Sequence, residues 1–241
     1  MGTLVNVLAI LLGSFIGVLL GNRLPEKMSR TLTDAMGLVV LVIGALNLAE
    51  LNDQDFNLAT GILPTILVVL ASLLLGGVSG SLLRIEERLE QFGAWLQAKT
   101  KSQGNKELFI QGFVNASLLF TIGPMAILGA LQDGLGQGFD VLALKSTLDG
   151  FTSIAFASTM GWGVAFSAIP VGIWQGLLTI LATAVGAGLS QAAIASITAT
   201  GGILLLGTGL RLLQIRMVSV ADLLPALVFA PVITLLLSLF A

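Results

Sequence analysis

Runs of apolar residues long enough to cross a lipid bilayer recur along the whole chain, and they constrain its fold more than any other feature. The protein has 241 residues, of which 56% are hydrophobic and only 10% are charged. Soluble domains carry roughly 25% charged residues, so this composition is typical of helices buried in lipid. The sequence therefore predicts an all-α fold, a polytopic transmembrane helical bundle that forms a single integral membrane domain over residues 1–241.

Eight spans account for the apolar pattern. They are predicted at residues 4–20, 32–48, 58–83, 108–131, 141–169, 170–189, 193–213 and 221–240. With eight crossings, nearly all Lys and Arg residues fall in loops on one side. Basic loops stay in the cytoplasm, so this count places the N- and C-termini outside. The alternative is seven crossings, with residues 141–169 forming a re-entrant segment.

Two helix hairpins within residues 1–131 resemble each other. Span one carries Gly13-Ser14-Phe15-Ile16-Gly17 and span three carries Gly76-Gly77-Val78-Ser79-Gly80. Both have the GxxxG spacing that lets helices approach closely, which predicts an internal hairpin repeat. Between the hairpins, residues 84–101 have an amphipathic pattern that predicts an interfacial helix on the cytoplasmic surface or, equally, an extension of span three. Residues 132–241 hold a polar fifth span and spans six to eight.

Three residue types are absent from the chain: Cys, His and Tyr. Their absence excludes thiolate and imidazole metal sites, disulfides and Ser–His–Asp catalysis. We expect no metal, no cofactor and no enzymatic activity, because carboxylates, Lys, Ser and Thr alone would have to carry the chemistry. The net charge of −2 offers no basic face for nucleic acid.

Span five contains the strongest polar anomaly in the chain. Lys145 and Asp149 are four residues apart and share one face of a helix. Ionisable groups within membrane segments usually face a protein interior or a water-filled cavity. The pair is predicted to be a gate or coupling pair at the outer mouth of a cavity. The alternative is an interfacial pair whose side chains reach the lipid headgroups.

Hydroxyls, amides and two helix breaks extend the candidate pathway beyond this pair. Hydroxyl side chains follow the pair along span five, and Gly161-Trp162-Gly163 and Gly123-Pro124 could unwind, expose carbonyls and face each other across a cavity. The predicted solute or ion pathway comprises Lys145, Asp149, Thr152, Ser153, Ser158, Thr159, Asn115, Pro124, Gln132, Asp133, Asn47 and Gln175. Alternatively, these polar groups bond within their own helices and serve packing.

Several long strings also carry a family resemblance. They are Gly2-Thr3-Leu4-Val5-Asn6, Gly123-Pro124-Met125-Ala126-Ile127-Leu128-Gly129-Ala130-Leu131-Gln132-Asp133-Gly134, Lys145-Ser146 with Leu148-Asp149-Gly150-Phe151, Ala155-Phe156-Ala157-Ser158-Thr159, Phe166-Ser167-Ala168-Ile169-Pro170-Val171, Ala199-Thr200-Gly201-Gly202 and Leu223-Leu224-Pro225-Ala226. Over essentially its whole length the chain resembles the DUF554 family of bacterial membrane proteins. The resemblance implies a multi-pass protein of the bacterial plasma membrane, and it supplies no biochemistry to carry over.

Three functions are compatible with these features. The first is a membrane transport protein, a carrier or channel for a small solute or ion, with cations concentrated by an acidic outer face. The second is a non-transporting scaffold or partner-binding subunit, which needs only the GxxxG faces and the surface helix. The third is a lipid-modifying membrane enzyme. The expected partners are the lipid bilayer, a small solute or ion and, in a homo-oligomer, a second copy of the chain.

Overall fold

The computed structural model describes residues 1–21, 25–100, 105–122, 124–185 and 189–239, and within these ranges the chain is helical without a strand. The α-helices are α1 (Gly2–Gly21), α2 (Glu26–Asn47), α3 (Gln54–Thr60), α4 (Thr65–Leu83), α5 (Ile85–Thr100), α6 (Lys106–Ile122), α7 (Pro124–Gly134), α8 (Asp140–Met160), α9 (Gly163–Phe166), α10 (Ala168–Val185), α11 (Gln191–Leu212) and α12 (Ala226–Ser238). Short 3-10 turns occupy Leu48–Asn52 and Ala221–Leu223. The predicted all-α class is confirmed.

Membrane-length segments recur as the sequence predicted. Within the described ranges, six are individually long and apolar enough to cross a bilayer: Gly2–Gly21, Arg30–Asn52, Thr65–Leu83, Gly163–Thr183, Gln191–Leu212 and Ala221–Ser238. The pair Lys106–Ile122 and Met125–Gly134, bent by 60° at the predicted Gly-Pro break, makes a seventh. Helix α8 fills the remaining predicted span and is less apolar because it carries Lys145, Asp149 and several hydroxyls. The chain is a polytopic helical membrane protein, and about eight spans fit it.

The fifth span ends earlier than the sequence predicted. Helix α8 stops at Met160, because Gly161 adopts a φ of +73° that a right-handed helix does not allow. The short helix α9 then leads into α10. Residues 163–169, which the hydropathy pattern assigned to span five, therefore belong to the next span.

The chain forms two compact units. The first unit comprises Met1–Gly37 and Leu89–Gly188, and it contains α1 and α6 to α10. The second unit comprises Leu38–Arg88 and Leu189–Ala241, and it contains α3, α4, α11 and α12. Helices α2 and α5 each contribute residues to both units.

Glycines hold α1 directly against α8 in the first unit. The backbone contacts are Gly13 with Gly150, Gly17 with Ile154 and Gly21 with Ser158. A Cβ atom added at any of the three glycines would overlap a carbonyl oxygen of α8, so the close approach requires glycine there. Because the residue numbers of both helices increase from one contact to the next, the two helices run parallel. The first and fifth of eight spans would run in the same direction, as these do.

The second predicted glycine face has the same role in the second unit. Gly76 meets the backbone of Ala226 at the start of α12, and Gly80 meets Asp222 in the preceding 3-10 turn. Here the residue numbers increase along α4 while those of the contacted residues decrease, so α4 and α12 are antiparallel. Both GxxxG faces of the proposed repeat are therefore used within the chain, against different partners and in different orientations.

Helix α5 follows α4 after Arg84, whose φ of +50° ends α4 and redirects the chain. Its aromatic residues form a small stack, with the rings of Phe92 and Trp95 5.7 Å apart and Lys99 Nζ 4.7 Å from the centre of the Trp95 ring. Phe92 also meets Phe113 of α6 edge-on at 5.8 Å. The amphipathic segment predicted at residues 84–101 is thus a separate helix rather than a straight extension of span three.

Matched glycine substitutions test the α1–α8 contact. We expect Gly13→Ala to destabilise the protein by about 1–3 kcal/mol, since the new methyl group overlaps the Gly150 carbonyl. Gly176→Ala is the control, because nothing lies within 4 Å of a Cβ built there. Thermal unfolding in detergent should give a lower Tm for Gly13→Ala and an unchanged or higher Tm for Gly176→Ala. Equal effects of the two substitutions would contradict this packing.

Candidate functional site

Lys145 and Asp149 form an ion pair one turn apart on α8, between Lys145 Nζ and Asp149 Oδ2. The two residues are only 5% and 7% exposed. Long side chains that reach headgroups keep their charged ends in water, so the pair is not the interfacial pair that the sequence left as an alternative. It lies in the interior of the first unit, where ionic groups are expensive unless they are paired.

Two amides from other helices complete the pair. Asn6 of α1 donates a hydrogen bond from Nδ2 to Asp149 Oδ2 at 3.0 Å and another to Gln175 Oε1 of α10 at 3.2 Å. Both amide residues are fully buried. We call Asn6, Lys145, Asp149 and Gln175 the polar cluster. Three helices meet there, and the glycine contacts of α1 with α8 bring Asn6 within reach of Asp149.

Several buried polar atoms at the cluster have no hydrogen-bond partner among the described residues. They are Asn6 Oδ1 and Gln175 Nε2 within the cluster. The buried hydroxyls of Ser14 on α1 and Ser153 on α8 have no described partner either. Ser153 lies one turn beyond Asp149 on α8, and a Cβ on Gly13 would stand 3.1 Å from the Ser153 Cβ. A buried polar group without a partner costs roughly 1–3 kcal/mol. Such atoms in a native structure commonly hold water or a ligand.

The surroundings of the pair are otherwise apolar. Lys145 Nζ lies 5.7 Å from the centre of the Phe120 ring, which stacks on Phe156 at 6.5 Å. Helices α1 and α10 contain no Asp, Glu, Lys or Arg. The charges of Lys145 and Asp149 are therefore balanced chiefly by each other.

Three of the four hydroxyl residues that the sequence placed in the pathway on span five bond within their own helix. Thr152, Ser158 and Thr159 donate to backbone carbonyls one turn back, those of Leu148, Ala155 and Phe156, at 2.7–3.0 Å. This is the local bonding that hydroxyls commonly adopt in membrane helices. Only Ser153, which is fully buried, lies beside the polar cluster with an unpaired hydroxyl.

The two predicted helix breaks exist but do not face each other. Gly163 packs on Phe109 near the start of α6, whereas Pro124 follows its end. The α6 helix between them separates the breaks by about 20 Å at 1.5 Å per residue. The carbonyls of Gly161 and Trp162 accept bonds from Val164 and Ala165 at 3.4 and 3.0 Å. They are used in a local turn and are not offered to a solute.

The other residues predicted for the pathway make no described hydrogen bond to the polar cluster. Asp133 accepts hydrogen bonds from the Met1 amino terminus at 2.8 Å and from Gly2 N at 2.9 Å, which fixes the start of α1. Gln132 is half-buried next to it. Asn115 on α6 is 3% exposed, and its Oδ1 has no partner in the described ranges. Asn47 belongs to the second unit, where its Cβ packs near Gly202 of α11.

The sequence analysis missed one residue of this site, Asn6. It lies on α1 within the apolar run at residues 4–20 and is fully buried. The signal for Asn6 was available, because it is the only amide in that run. An isolated amide in a membrane helix usually bonds to another helix.

A second buried ion pair lies in the second unit. Arg211 Nη1 bonds Glu86 Oε1, and Glu86 Oε2 accepts from Ala221 N at 2.8 Å. Asp222 Oδ1 in turn accepts from Glu86 N at 2.9 Å. Arg211 is 6% exposed and lies in the last turn of α11. This network joins α5, α11 and the 3-10 turn before α12.

Comparisons with known proteins place the chain among membrane proteins. A family model described as "Protein of unknown function (DUF554)" matches residues 1–235. The uncharacterized membrane protein YdfK of Bacillus subtilis (strain 168) is 31% identical over 239 residues, which cover 99% of this chain and 97% of YdfK. The uncharacterized protein YqgA of Escherichia coli (strain K12) is 34% identical over 232 residues, covering 95% and 94%. No solved structure matches the chain.

Paired substitutions test whether Lys145 and Asp149 are a buried ion pair. Lys145→Met leaves an unpaired buried carboxylate, and we expect it to cost about 3–5 kcal/mol of stability. Lys145→Met combined with Asp149→Leu removes both charges and should recover most of that loss. Lys27→Met, at an exposed lysine of α2, is the matched control and should change little. Thermal unfolding in detergent measures all three, and a double variant no more stable than Lys145→Met would contradict the pairing.

Proposed function

The chain belongs to the DUF554 family, and we propose that it is a membrane transport protein, a carrier or channel for a small solute or ion. One observation carries the proposal: a buried Lys145–Asp149 pair lies among buried polar atoms without partners, inside a helical membrane protein. The proposed role is non-enzymatic.

Energetics support a role beyond stability for this pair. Replacing a buried ion pair by apolar residues of similar volume is often neutral or stabilising, so packing alone does not account for its presence. The unpartnered oxygens of Asn6 and Ser153 add a further cost. Ionisable groups within membrane segments commonly mark the pathways of ions and solutes.

The direction of the helices supports an outward-facing entrance near the cluster. Met1 and Asp133 lie at the same end of the first unit as Leu142, which packs on Gly2. Lys145 is one turn from Leu142. We place this end outside a bacterial plasma membrane, with the N- and C-termini also outside, because the basic loops then face the cytoplasm.

The two other candidate functions receive less support. The glycine faces that favoured a scaffold are occupied within the chain, Gly13 and Gly17 by α8 and Gly76 and Gly80 by residues 222–226. A lipid-modifying enzyme would need a free carboxylate or amine at a lateral opening. Lys145 and Asp149 are instead bound to each other and buried.

Flux through purified protein in liposomes tests the proposal, with a panel of small ions and metabolites as substrates. We expect Asp149→Asn to abolish the flux, because it removes the only carboxylate of the polar cluster. Asp140→Asn is the control on the same helix, since Asp140 is exposed at the start of α8. We expect it to retain the flux.

Two results would count against this function. Equal flux through Asp149→Asn and Asp140→Asn would remove the polar cluster from the pathway. A wild-type protein without flux for the whole panel, together with a stable protein partner in pull-downs, would favour the scaffold function.

A further inference from the structure

We propose that the polar cluster is a cation–proton exchange site, at which a monovalent cation binds Asp149 in place of the Lys145 ammonium and Lys145 releases a proton. This inference rests on the proposed transport function. It names the substrate class and the coupling ion, which the transport proposal leaves open.

The available ligands favour a single small cation. Asp149 is the only carboxylate of the polar cluster. Asn6, which bonds it, and Ser153, one turn further along α8, each have a neutral oxygen without a described partner. Oxygen ligands suit hard cations such as Na⁺ and Li⁺. Divalent cations usually gather several carboxylates, and no group of three Asp or Glu residues suited to a metal occurs in the part of the chain that the structure describes.

Burial limits the size of the occupant. Asn6, Ser153 and Gln175 are each 0% exposed, and Lys145 and Asp149 are nearly so. The ammonium group of Lys145 already occupies the position beside Asp149 Oδ2. A cation no larger than that group can take the position when the lysine side chain withdraws, whereas a metabolite would require the three helices to separate.

Charge balance requires a proton to leave. The ion pair is neutral, so a cation added to it would leave one uncompensated charge in an apolar interior, which is costly. No other charge is placed to offset it within the described ranges. Helices α1, α9 and α10 carry no ionisable side chain, Asp133 of α7 is bound to the Met1 amino terminus, and Lys106 and Glu107 lie at the opposite end of α6.

The exchange step balances in atoms and charge. The N–H bond of the Lys145 ammonium breaks, its proton passes to water, and the neutral amine moves away from Asp149. The cation then forms the ionic contact with the Asp149 carboxylate. One cation enters as one proton leaves, so the site remains neutral and each cycle moves no net charge.

Electroneutral exchange is tested on the wild-type protein in liposomes that contain a pH-sensitive dye. We expect external NaCl or LiCl to drive protons out, with KCl as a size comparison. An imposed potential of 100 mV should change the rate less than about twofold, since a step that moved one net charge could shift by up to about 50-fold. A strongly voltage-dependent exchange would overturn the one-for-one mechanism.

Substitutions of Lys145 test its role as proton donor. Lys145→Arg keeps a cation beside Asp149, and therefore the fold, but guanidinium does not deprotonate in proteins. We expect it to lose at least about tenfold in exchange. Asp149→Asn should abolish the exchange, and Asp140→Asn should retain it.

The outcomes separate this inference from the transport proposal. Exchange at the wild-type rate in Lys145→Arg would overturn the role of Lys145. Flux of another solute that Asp149→Asn abolishes, without cation-driven proton movement in the wild type, would overturn cation exchange and leave the transport function intact. Wild-type protein that moves neither cations nor any other solute would overturn both.

Discussion

The direct backbone contact between α1 and α8 is the interaction on which the first unit depends. Gly13, Gly17 and Gly21 present no side chain where α1 meets the α8 backbone at Gly150, Ile154 and Ser158. The contact places Asn6 within hydrogen-bond distance of Asp149, and it covers the Lys145–Asp149 pair. Without the glycines, α1 would stand further from α8, and the charged pair would lose both its amide partner and its cover.

Among the described residues, the Lys145–Asp149 and Arg211–Glu86 pairs differ in how their carboxylates are bonded. Glu86 in the second unit uses both carboxylate oxygens, one for Arg211 and one for the amide of Ala221, and its own amide is bound by Asp222. That arrangement ties three elements together and accounts for the charges structurally. The Lys145–Asp149 pair instead stands beside amide and hydroxyl atoms that have no described partner. A partly satisfied hydrogen-bond network stabilises a protein poorly. We therefore assign a function to the Lys145–Asp149 pair and not to the Glu86–Arg211 pair.

Sequence patterns predicted the architecture well because apolar runs and GxxxG spacing depend on local composition. They also found Lys145 and Asp149, since charges stand out in an apolar segment. They did not find Asn6, because its contact with Asp149 depends on the register of two helices separated by more than a hundred residues. The hydroxyls of Thr152, Ser158 and Thr159 looked equivalent to Ser153 in sequence, and only the packed orientation of α8 distinguishes them.

The helices that can move most readily to give access to Asp149 are α7 and α10. The α1–α8 contact brings Gly13, Gly17 and Gly21 against the α8 backbone, and such a close backbone contact has little freedom to rearrange. In contrast, α7 follows a 60° bend, and α10 is separated from α8 by the turn at Gly161 and the short helix α9. The link from α10 to the cluster is a single neutral hydrogen bond between Gln175 and Asn6. Moving α10 would break that bond while the ion pair stays in place, so the charges would remain compensated until a cation arrives.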